Sequence, residues 1–433
     1  MSLVVRLRES FWFVPALFCL AGGAAAQGLV ALDRRLPDNI AFIQVGASGS
    51  RDLLGAIAGS MLAVASTTFS ITIAVLALSS STYGPRLVRN FMADRSNQVV
   101  LGVFVSTFLY ALLVLRSVRA DGDDGPGFVP HLAVSVAVLF AVVAIGVLVY
   151  FIHHISDSIQ VTTLARRVRE ELHACVDRLY PEEMGAGSRA RERAPDEDNV
   201  LADVARDGIP VPAPGNGYLQ GLDEDELISL AVARDVIVLL RTRPGEYVVE
   251  DQQVALLWPA AHVDADTVPA VLDTLRIANV RNPNGDVDFA VQQLEEMAVR
   301  ALSPSTNDPY TAINALDDLS TGLARMAERP QPSERRYDGD GQLRVVAPRV
   351  GLTDLLDRVF DAMRLYALEH PIVLHHTLTV GERVAHRSKD PTVHGNLMTN
   401  TELLIEAYVR TEPQPHDLER LRRHADRLAA LTS

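Results

Sequence analysis

Four apolar stretches near the start of the chain most constrain what this sequence can fold into. They cover about residues 11–32, 53–79, 99–115 and 129–152. A helix of about 20 residues crosses the hydrocarbon core of a bilayer, so each stretch is long enough to span a membrane. One such stretch can also be a buried core helix, but four in succession predict a four-span α-helical bundle over residues 1–159.

Charge divides the chain at the same point. Residues 1–159 carry 10 basic and 9 acidic side chains, a net charge of +1. Residues 160–433 carry a net charge of −15, so the whole chain has a net charge of −14. This division predicts a membrane part joined to an acidic soluble part. It excludes a disulfide-rich secreted scaffold and a basic nucleic-acid-binding protein, so the lipid bilayer is an expected partner and nucleic acid is not.

The arginine distribution predicts the orientation. With the N-terminus inside, nine arginines flank the inner ends of the spans and five the outer ends, which favours cytoplasmic N- and C-termini in the inner membrane of a bacterium. Arg6, Arg8 and the small residues before Gln27 also resemble a cleaved signal peptide over residues 1–26. Apolar residues that continue to Leu32 favour an uncleaved span, and both alternatives orient the later spans alike.

The second span holds the candidate pore and packing residues. A row of small residues lets helices approach closely and predicts self-association: Gly55, Gly59 and Ala63. Hydroxyl side chains follow, and they are candidates for lining a polar path: Ser66, Thr68, Ser70, Thr72 and Ser79. The alternative is that these hydroxyls bond to the carbonyl four residues earlier and pack as small residues. No Asp, Glu, Lys or Arg lies in the second, third or fourth span, which disfavours an ion-coupled transporter and leaves a passive pore or a structural bundle.

The fourth span is predicted to continue beyond the membrane over residues 160–180. Its apolar stripe includes Leu164, Val168, Leu172 and Cys175 at the spacing of an amphipathic helix. The stripe either packs on the chain's own soluble part or forms a neck shared between subunits, and the second alternative predicts self-association there too.

The soluble part is predicted to be α+β. Residues 181–208 are rich in Pro and Gly and predict a linker, residues 209–262 predict a small β-rich subdomain, and residues 263–433 predict a mostly helical domain. Residues 244–249 resemble the turn of a biotinyl- or lipoyl-type barrel, which makes a barrel-like subdomain the expectation. The only lysine is Lys389, so a covalent carrier role is disfavoured.

Motifs for catalysis and metal binding are missing from the sequence. There is no Walker A loop, dinucleotide-binding loop, nucleophile elbow, zinc-protease motif or C-x-x-C pair. Alternating oxygen side chains at 282–288 lack the glycine and glutamate of a calcium loop and predict a turn before a capped helix. Histidines between 370 and 394 are interpreted as surface or packing residues. We therefore predict no catalytic residue, metal or cofactor, and an enzyme is disfavoured.

The densest polar motif lies at residues 300–312. Asp308-Pro309 is typical of a helix start, because Asp caps and Pro fits the first helical position. The motif is either a helix–turn–helix corner rich in capping groups or a ligand or partner site at a helix N-terminus. The candidate residues for such a site are Arg281, Arg300, Ser303, Asn307, Asp308 and Thr311.

The chain resembles a bacterial family of predicted integral membrane proteins of unknown function. The resemblance rests on segments 69–72, 83–87, 97–102 and 217–220, and above all on Ala301-Leu302-Ser303-Pro304 with Asn307-Asp308-Pro309 and Thr311-Ala312. It implies four spans and a cytosolic C-terminal region, and it implies no activity. Arg281-Asn282 and Asp286-Val287-Asp288 depart from the Arg-Thr and Gln-Asp pairs that such proteins often carry there.

Two functions follow as hypotheses. The first is a homo-oligomeric passive channel or pore that the cytosolic domain regulates. The second is a membrane-anchored sensor or scaffold without a pore.

Overall fold

The computed structural model describes residues 12–35, 45–83, 95–120, 127–158, 161–180, 197–282 and 285–432. The chain divides into two compact units, Met1–Leu164 and Ala165–Ser433, called here the N-terminal and C-terminal units. The first contains the apolar helices, and the second contains the strands and the remaining helices.

The N-terminal unit consists of four helices: α1 (Phe13–Asp33), α2 (Ala47–Tyr83), α3 (Arg95–Leu115) and α4 (His131–Ser158). All four are long and apolar enough to cross a membrane, which confirms the predicted set of apolar helices. Helix α3 contacts the other three helices. Half of the residues in its apolar stretch are buried, compared with 17–28% in the other three helices. The bundle is therefore built around α3.

Two glycines set the close approach of α1 and α3. A side chain at Gly22 would lie 3.0 Å from the Ser106 carbonyl oxygen, and one at Gly102 would lie 3.0 Å from the ring of Phe18. Helices without a side chain at the crossing approach more closely, and dispersion contacts are gained along the seam. At this crossing the close-packed small residues are thus Gly22 of α1 and Gly102 of α3.

One end of the bundle is closed by polar contacts to the start of α4. The Asp33 carboxylate at the end of α1 accepts hydrogen bonds from the Leu132 and Ala133 amides at 3.0 and 2.9 Å. The buried Tyr110 hydroxyl of α3 donates to the Ala133 carbonyl at 2.9 Å. The two bonds to Asp33 use the free N–H groups of a helix start, which a bilayer would leave without partners.

Helix α5 (Val161–Leu179) carries the predicted amphipathic stripe, and the structure covers that stripe with the chain's own C-terminal unit. Val168, Leu172 and Cys175 are buried. Arg329 donates to the Val176 and Tyr180 carbonyls at 3.1 and 2.8 Å, which satisfies the end of the helix. Self-association through this segment stays a prediction, but the stripe is already occupied. The predicted continuity with α4 depends on residues 159–160, which lie outside the described residues.

The strands form two open sheets. In the first, β1 (Ile209–Pro212), β5 (Gln253–Trp258), β3 (Ile237–Leu240), β8 (Leu343–Val346) and β7 (Arg335–Tyr337) are neighbours in that order. In the second, β4 (Tyr247–Val248), β2 (Gly217–Leu222) and β6 (Leu275–Ala278) are neighbours in that order. The barrel-like subdomain is not confirmed, because the predicted barrel turn forms β4 at a sheet edge. Strand β8 joins the first sheet by pairing in parallel with β3, although it lies about 100 residues later in the sequence.

Helices surround these sheets. They are α6 (Glu197–Asp207), α7 (Glu224–Ala233), α8 (Thr267–Thr274), α9 (Val287–Ala301), α10 (Pro309–Ala327), α11 (Leu352–Tyr366), α12 (Pro371–Ala385), α13 (Pro391–Val409) and α14 (Pro415–Thr432). Helices α9 to α14 pack mainly on one another. Helix α6 lies within the predicted linker, where a helix was not expected, and Arg335 holds its first turn through Asp198 at 2.9 Å.

Candidate functional site

A bidentate ion pair forms the base of the candidate site. Arg281 donates to both carboxylate oxygens of Asp286, at 2.6 and 2.8 Å, and also to Asp288 at 2.8 Å and Gln292 at 2.8 Å. Only 1% of the Asp286 side chain is exposed. The same carboxylate caps α9 by accepting from the Phe289 amide at 3.0 Å, which confirms the predicted turn and capped helix.

A glycine turn lies directly against this pair. Gly245 has φ +96°, and a side chain there would lie 2.5 Å from the Asp286 carboxylate and 2.7 Å from the Arg281 guanidinium. Only glycine combines this left-handed conformation with such a close approach. The Pro244-Gly245 turn therefore allows the second sheet to reach the ion pair.

A cleft of about 270 Å³ opens beside the pair, entirely within the C-terminal unit. Its walls come from the end of α5, strand β2, the start of α9 and the segment after β8; they are residues 178–180, 220–222, 285–287 and 347–350, with Glu224, Pro244, Arg276 and Asn282. The buried Tyr180 hydroxyl donates to the Val350 carbonyl at 2.6 Å and joins two of these walls. Burial raises the pKa of this tyrosine, so its hydroxyl stays protonated.

The charges around the cleft do not balance. Both acidic side chains are engaged: Asp286 by Arg281, and Glu224 by Arg336 and Arg349. Within the described ranges, the guanidinium groups of Arg178 and Arg276 have no ion pair or hydrogen bond, although both line the cleft. The buried Nε of Arg349 also lacks a hydrogen-bond partner among the described residues.

This arrangement suits an anion. Guanidinium groups bind carboxylates and phosphates through paired N–H donors, and two of them here have no carboxylate partner among the described residues. The rest of the wall is partly apolar, through side chains such as Leu222 and Val350. A small ligand with an anionic group and an apolar body matches both surfaces.

Comparison with known proteins shows the family. A family model described as "Predicted membrane protein (DUF2254)" matches residues 8–382 of the chain. The chain belongs to this family. Uncharacterised proteins of Mycobacterium bovis and Mycobacterium tuberculosis are each 32% identical to it over 412 residues, which is 93% of this chain and 77% of theirs. No solved structure matches the chain significantly.

Membership of the DUF2254 family agrees with the four apolar helices but assigns no chemistry. The relatives are uncharacterised, so the cleft must be judged on its own geometry. None of the three cleft arginines, Arg178, Arg276 and Arg349, was among the candidate site residues predicted from the sequence. They lie in α5, β6 and the segment after β8, and no local pattern signals that they meet.

The corner at residues 300–312 is a capping structure in this family member. Asp308 accepts from the Thr311 amide at 3.1 Å and from its hydroxyl at 2.6 Å, and Asn307 has φ +47°. Arg300 pairs with Glu296 one turn earlier at 2.9 Å, and Ser303 lies at the start of the turn. Helix α9 separates this corner from Arg281 by about 20 Å at 1.5 Å per residue. The six candidate residues are thus in two groups, and only Arg281 is near the cleft.

The hydroxyl side chains of α2 do not share one face. Ser66 and Ser70 are exposed, whereas Thr68 and Thr72 are buried in the bundle. Ser70 donates to the Ser66 carbonyl and Thr72 to the Thr68 carbonyl, both at 2.9 Å. This is the predicted bonding to the preceding turn. The side chain of Ser79 lies outside the described residues.

The small-residue row of α2 is exposed in the single chain. Side chains built at Gly55 or Gly59 would have no atom within 4 Å, and Ala63 is exposed as well. Packing at this row stays a prediction about a second copy.

The histidines form no metal centre in the described part of the chain, where no three His, Cys, Asp or Glu side chains are placed to hold an ion. His375 and the buried His424 approach each other at 3.3 Å between their Nδ1 atoms and stack at 18° between ring planes. Burial and the neighbouring His424 lower the pKa of His375 to about 4. Near neutral pH His375 is therefore uncharged, as a packing residue would be.

Proposed function

We propose that this protein is a membrane-anchored receptor that binds a small organic anion in the cleft of its C-terminal unit. The proposal includes a bacterial inner-membrane location with both termini in the cytoplasm, which the arginine distribution supports. The observation that carries it is the pair of guanidinium groups at Arg178 and Arg276, which line the cleft without an acidic partner among the described residues.

The size and the walls of the cleft favour a small ligand. A volume of about 270 Å³ admits a phosphorylated or carboxylated metabolite and is too narrow for a folded domain. Binding would neutralise charge contributed by α5, β6 and the segment after β8. A ligand would therefore stabilise the contacts between these elements by binding the folded state alone.

The test is a thermal-shift and calorimetric titration of the full chain in neutral detergent with inorganic phosphate, sulfate and a nucleoside monophosphate. We expect saturable stabilisation that weakens as salt rises. The double variant Arg178→Gln/Arg276→Gln should lose about tenfold or more in affinity. Arg422→Gln on α14 removes the same charge from an exposed position and is the matched control.

Two results would overturn this function. One is a complete lack of anion-dependent stabilisation in the unaltered chain. The other is equal affinity in the double variant, because the bound anion would then be elsewhere.

A second candidate function, the passive channel, is favoured by one observation on α2. Gly55, Gly59, Ala63, Ser66 and Ser70 are all exposed on this helix and recur at three- and four-residue steps. A second copy packed along this row would approach closely and would place the serine hydroxyls between the copies. Gly59→Leu should then reduce the oligomer mass in detergent and abolish any conductance in reconstituted bilayers. A protein that is monomeric and does not conduct contradicts the channel.

A further inference from the structure

We propose a second anion site in the N-terminal unit: a groove at one end of the helical bundle that binds the phosphate of an anionic phospholipid headgroup. The groove measures about 580 Å³ and lies where α1 and α3 end. A free phosphate ion could bind the same arginines, but the walls of the groove change from basic to apolar with depth, and this change favours the lipid.

The rim of the groove is strongly basic. Arg34 follows α1, and Arg116 and Arg119 follow α3. Across the described residues, none of these three guanidinium groups pairs with a carboxylate. The carboxylate of Asp33, the acidic neighbour of Arg34, is already bound by the Leu132 and Ala133 amides. Among the described residues this rim therefore lacks an anionic partner, which a ligand can supply.

Backbone and ring contacts hold these arginines in place. Arg119 forms a two-bond antiparallel bridge with Phe128, at 2.9 and 3.0 Å. The Arg34 guanidinium lies over the Phe128 ring, 5.6 Å from its centroid. Arg51 of α2 donates to the Val118 carbonyl at 3.2 Å and fixes the same segment. A site that is already arranged loses less conformational entropy when a ligand binds.

The groove becomes apolar with depth but retains one polar side chain. Gln27 lies seven residues before Arg34, so it is about 10 Å further into the bundle at 1.5 Å per residue. Val30 and Leu113 form the wall between them. The Gln27 side chain is exposed, and no residue in the described ranges forms a hydrogen bond with it. An amide left unpaired in hydrocarbon costs several kcal/mol.

A phospholipid presents matching groups at matching depths. Its phosphate would reach the arginine rim, a glycerol ester carbonyl would accept from the Gln27 amide, and its acyl chains would continue along the apolar helices. Inorganic phosphate could occupy the rim but would leave Gln27 unpaired and the apolar wall uncovered. In the part of the chain that the structure describes, no carboxylate pairs with the rim arginines, which further favours a lipid with net negative charge.

The experiment titrates the purified full chain in neutral detergent with phosphatidylglycerol, with diacylglycerol of the same acyl chains, and with glycerol 3-phosphate. The readouts are the melting temperature and the amount of lipid retained after size exclusion. We expect phosphatidylglycerol, unlike diacylglycerol, to stabilise the chain and to be retained. Glycerol 3-phosphate can also bind the cleft of the C-terminal unit, so any stabilisation that it gives should not depend on Arg34 and Arg116. The variant Arg34→Gln/Arg116→Gln should lower its affinity about tenfold or more. The control Arg95→Gln removes one arginine from the opposite end of α3 and should change nothing.

Gln27→Leu separates the two phosphate sources and avoids any loss of folding, because leucine suits an apolar helix. It should weaken phosphatidylglycerol binding while leaving the melting temperature without lipid unchanged. A glycerol 3-phosphate affinity that falls in Arg34→Gln/Arg116→Gln as much as the phosphatidylglycerol affinity does would overturn the lipid assignment. Unchanged phosphatidylglycerol affinity in the double arginine variant would overturn the site. The cleft arginines are untouched throughout, so failure here leaves the proposed receptor function unaffected.

Discussion

The two units of this protein satisfy their polar groups in opposite ways. In the N-terminal unit, threonine hydroxyls bond to the preceding turn of their own helix, as Thr67 does to Ala63 at 3.0 Å and Thr72 to Thr68 at 2.9 Å. Asp33 and the Tyr110 hydroxyl join different helices, and they do so at the end of the bundle where α4 starts. In the C-terminal unit, arginines reach carboxylates on other elements, as in the bond from Arg169 of α5 to Asp318 of α10 at 2.7 Å.

The difference follows from the solvent that each unit is built for. In a bilayer no water replaces a lost partner, so polar groups are safest when they bond within their own helix. In water, a charged pair can join distant segments, because each partner is solvated until the fold brings the two together. Long-range ion pairs can therefore specify the tertiary structure of the C-terminal unit, whereas close apolar packing must do so in the bundle.

The largest expected effect tests the ion-pair side of this comparison. Arg281→Met leaves the buried Asp286 carboxylate without its bidentate partner, and breaking a buried pair costs about 3–5 kcal/mol. We expect the C-terminal unit to unfold at lower temperature and to become sensitive to protease while the bundle persists.

The control for this variant is Arg410→Met. Arg410 pairs with Glu406 on the surface of α13, where the two side chains are 74% and 60% exposed, and such pairs contribute about 1 kcal/mol at most. Similar losses of stability in the two variants would show that the buried pair stabilises the fold no more than the surface pair does.

The next effect tests the packing side. Gly102→Leu forces a branched side chain into the Phe18 ring, and overpacking of this kind costs about 1–3 kcal/mol. Melting of the full chain in detergent measures the loss. Gly55→Leu makes the same change on α2 in open space and should leave the fold of the single chain intact. Equal destabilisation by the two substitutions contradicts the α1–α3 seam.

A smaller effect is expected at the corner before α10. Asp308→Ala removes the helix cap and should cost about 1 kcal/mol. Hydrogen bonds from Thr311 lower the pKa of Asp308 below its ordinary 3.8, so this stabilisation is present above pH 3.8 and is lost as the pH falls further. Melting temperatures at neutral and acidic pH measure both effects, with Ser305→Ala as the control at an exposed position. If Asp308→Ala loses nothing at neutral pH, the cap does not stabilise the helix.

The smallest effect concerns the paired histidines between α12 and α14. The pKa of His375 is lowered to about 4 from 6.5, by burial first and then by His424 and neighbouring arginines. The unfolded chain therefore takes up this proton first, and stability present above pH 6.5 should decline as the pH falls toward 4. Because His375 is only half-buried, solvent screening keeps the effect small.

The pH dependence of the melting temperature measures this decline. In His375→Gln the slope between these pH values should flatten, while His416→Gln, a change at an exposed histidine on α14, should keep it. An unchanged slope in His375→Gln would assign the titration to another group.

Local signals predicted the elements better than their boundaries. Asp308 caps α10 as expected, and Asp223 caps α7 in the same way, since capping depends on residues within one turn. The sequence pattern alone predicts the start of α13 near residue 399. In the structure Asp390 accepts from the Thr392 amide at 2.8 Å, and the helix starts at Pro391. The sequence pattern alone predicts a helix over 266–277. In the structure this helix ends at Thr274 because residues 275–278 pair with β2, and strand pairing outweighs local propensity.

Apolar length, helix caps and the Pro-Gly turn could be inferred from the chain alone, because each depends on residues close in sequence. The cleft could not. The charge of the cleft depends on which of its guanidinium groups are paired with a carboxylate. These groups belong to Arg178, Arg276 and Arg349, which are up to 171 positions apart in the sequence. The groove on the bundle has the same origin, because it joins Gln27 and Arg34 to residues about 90 positions later. Charge balance between distant segments exists only once folding has chosen the neighbours, and folding chooses them through packing and desolvation over the whole unit.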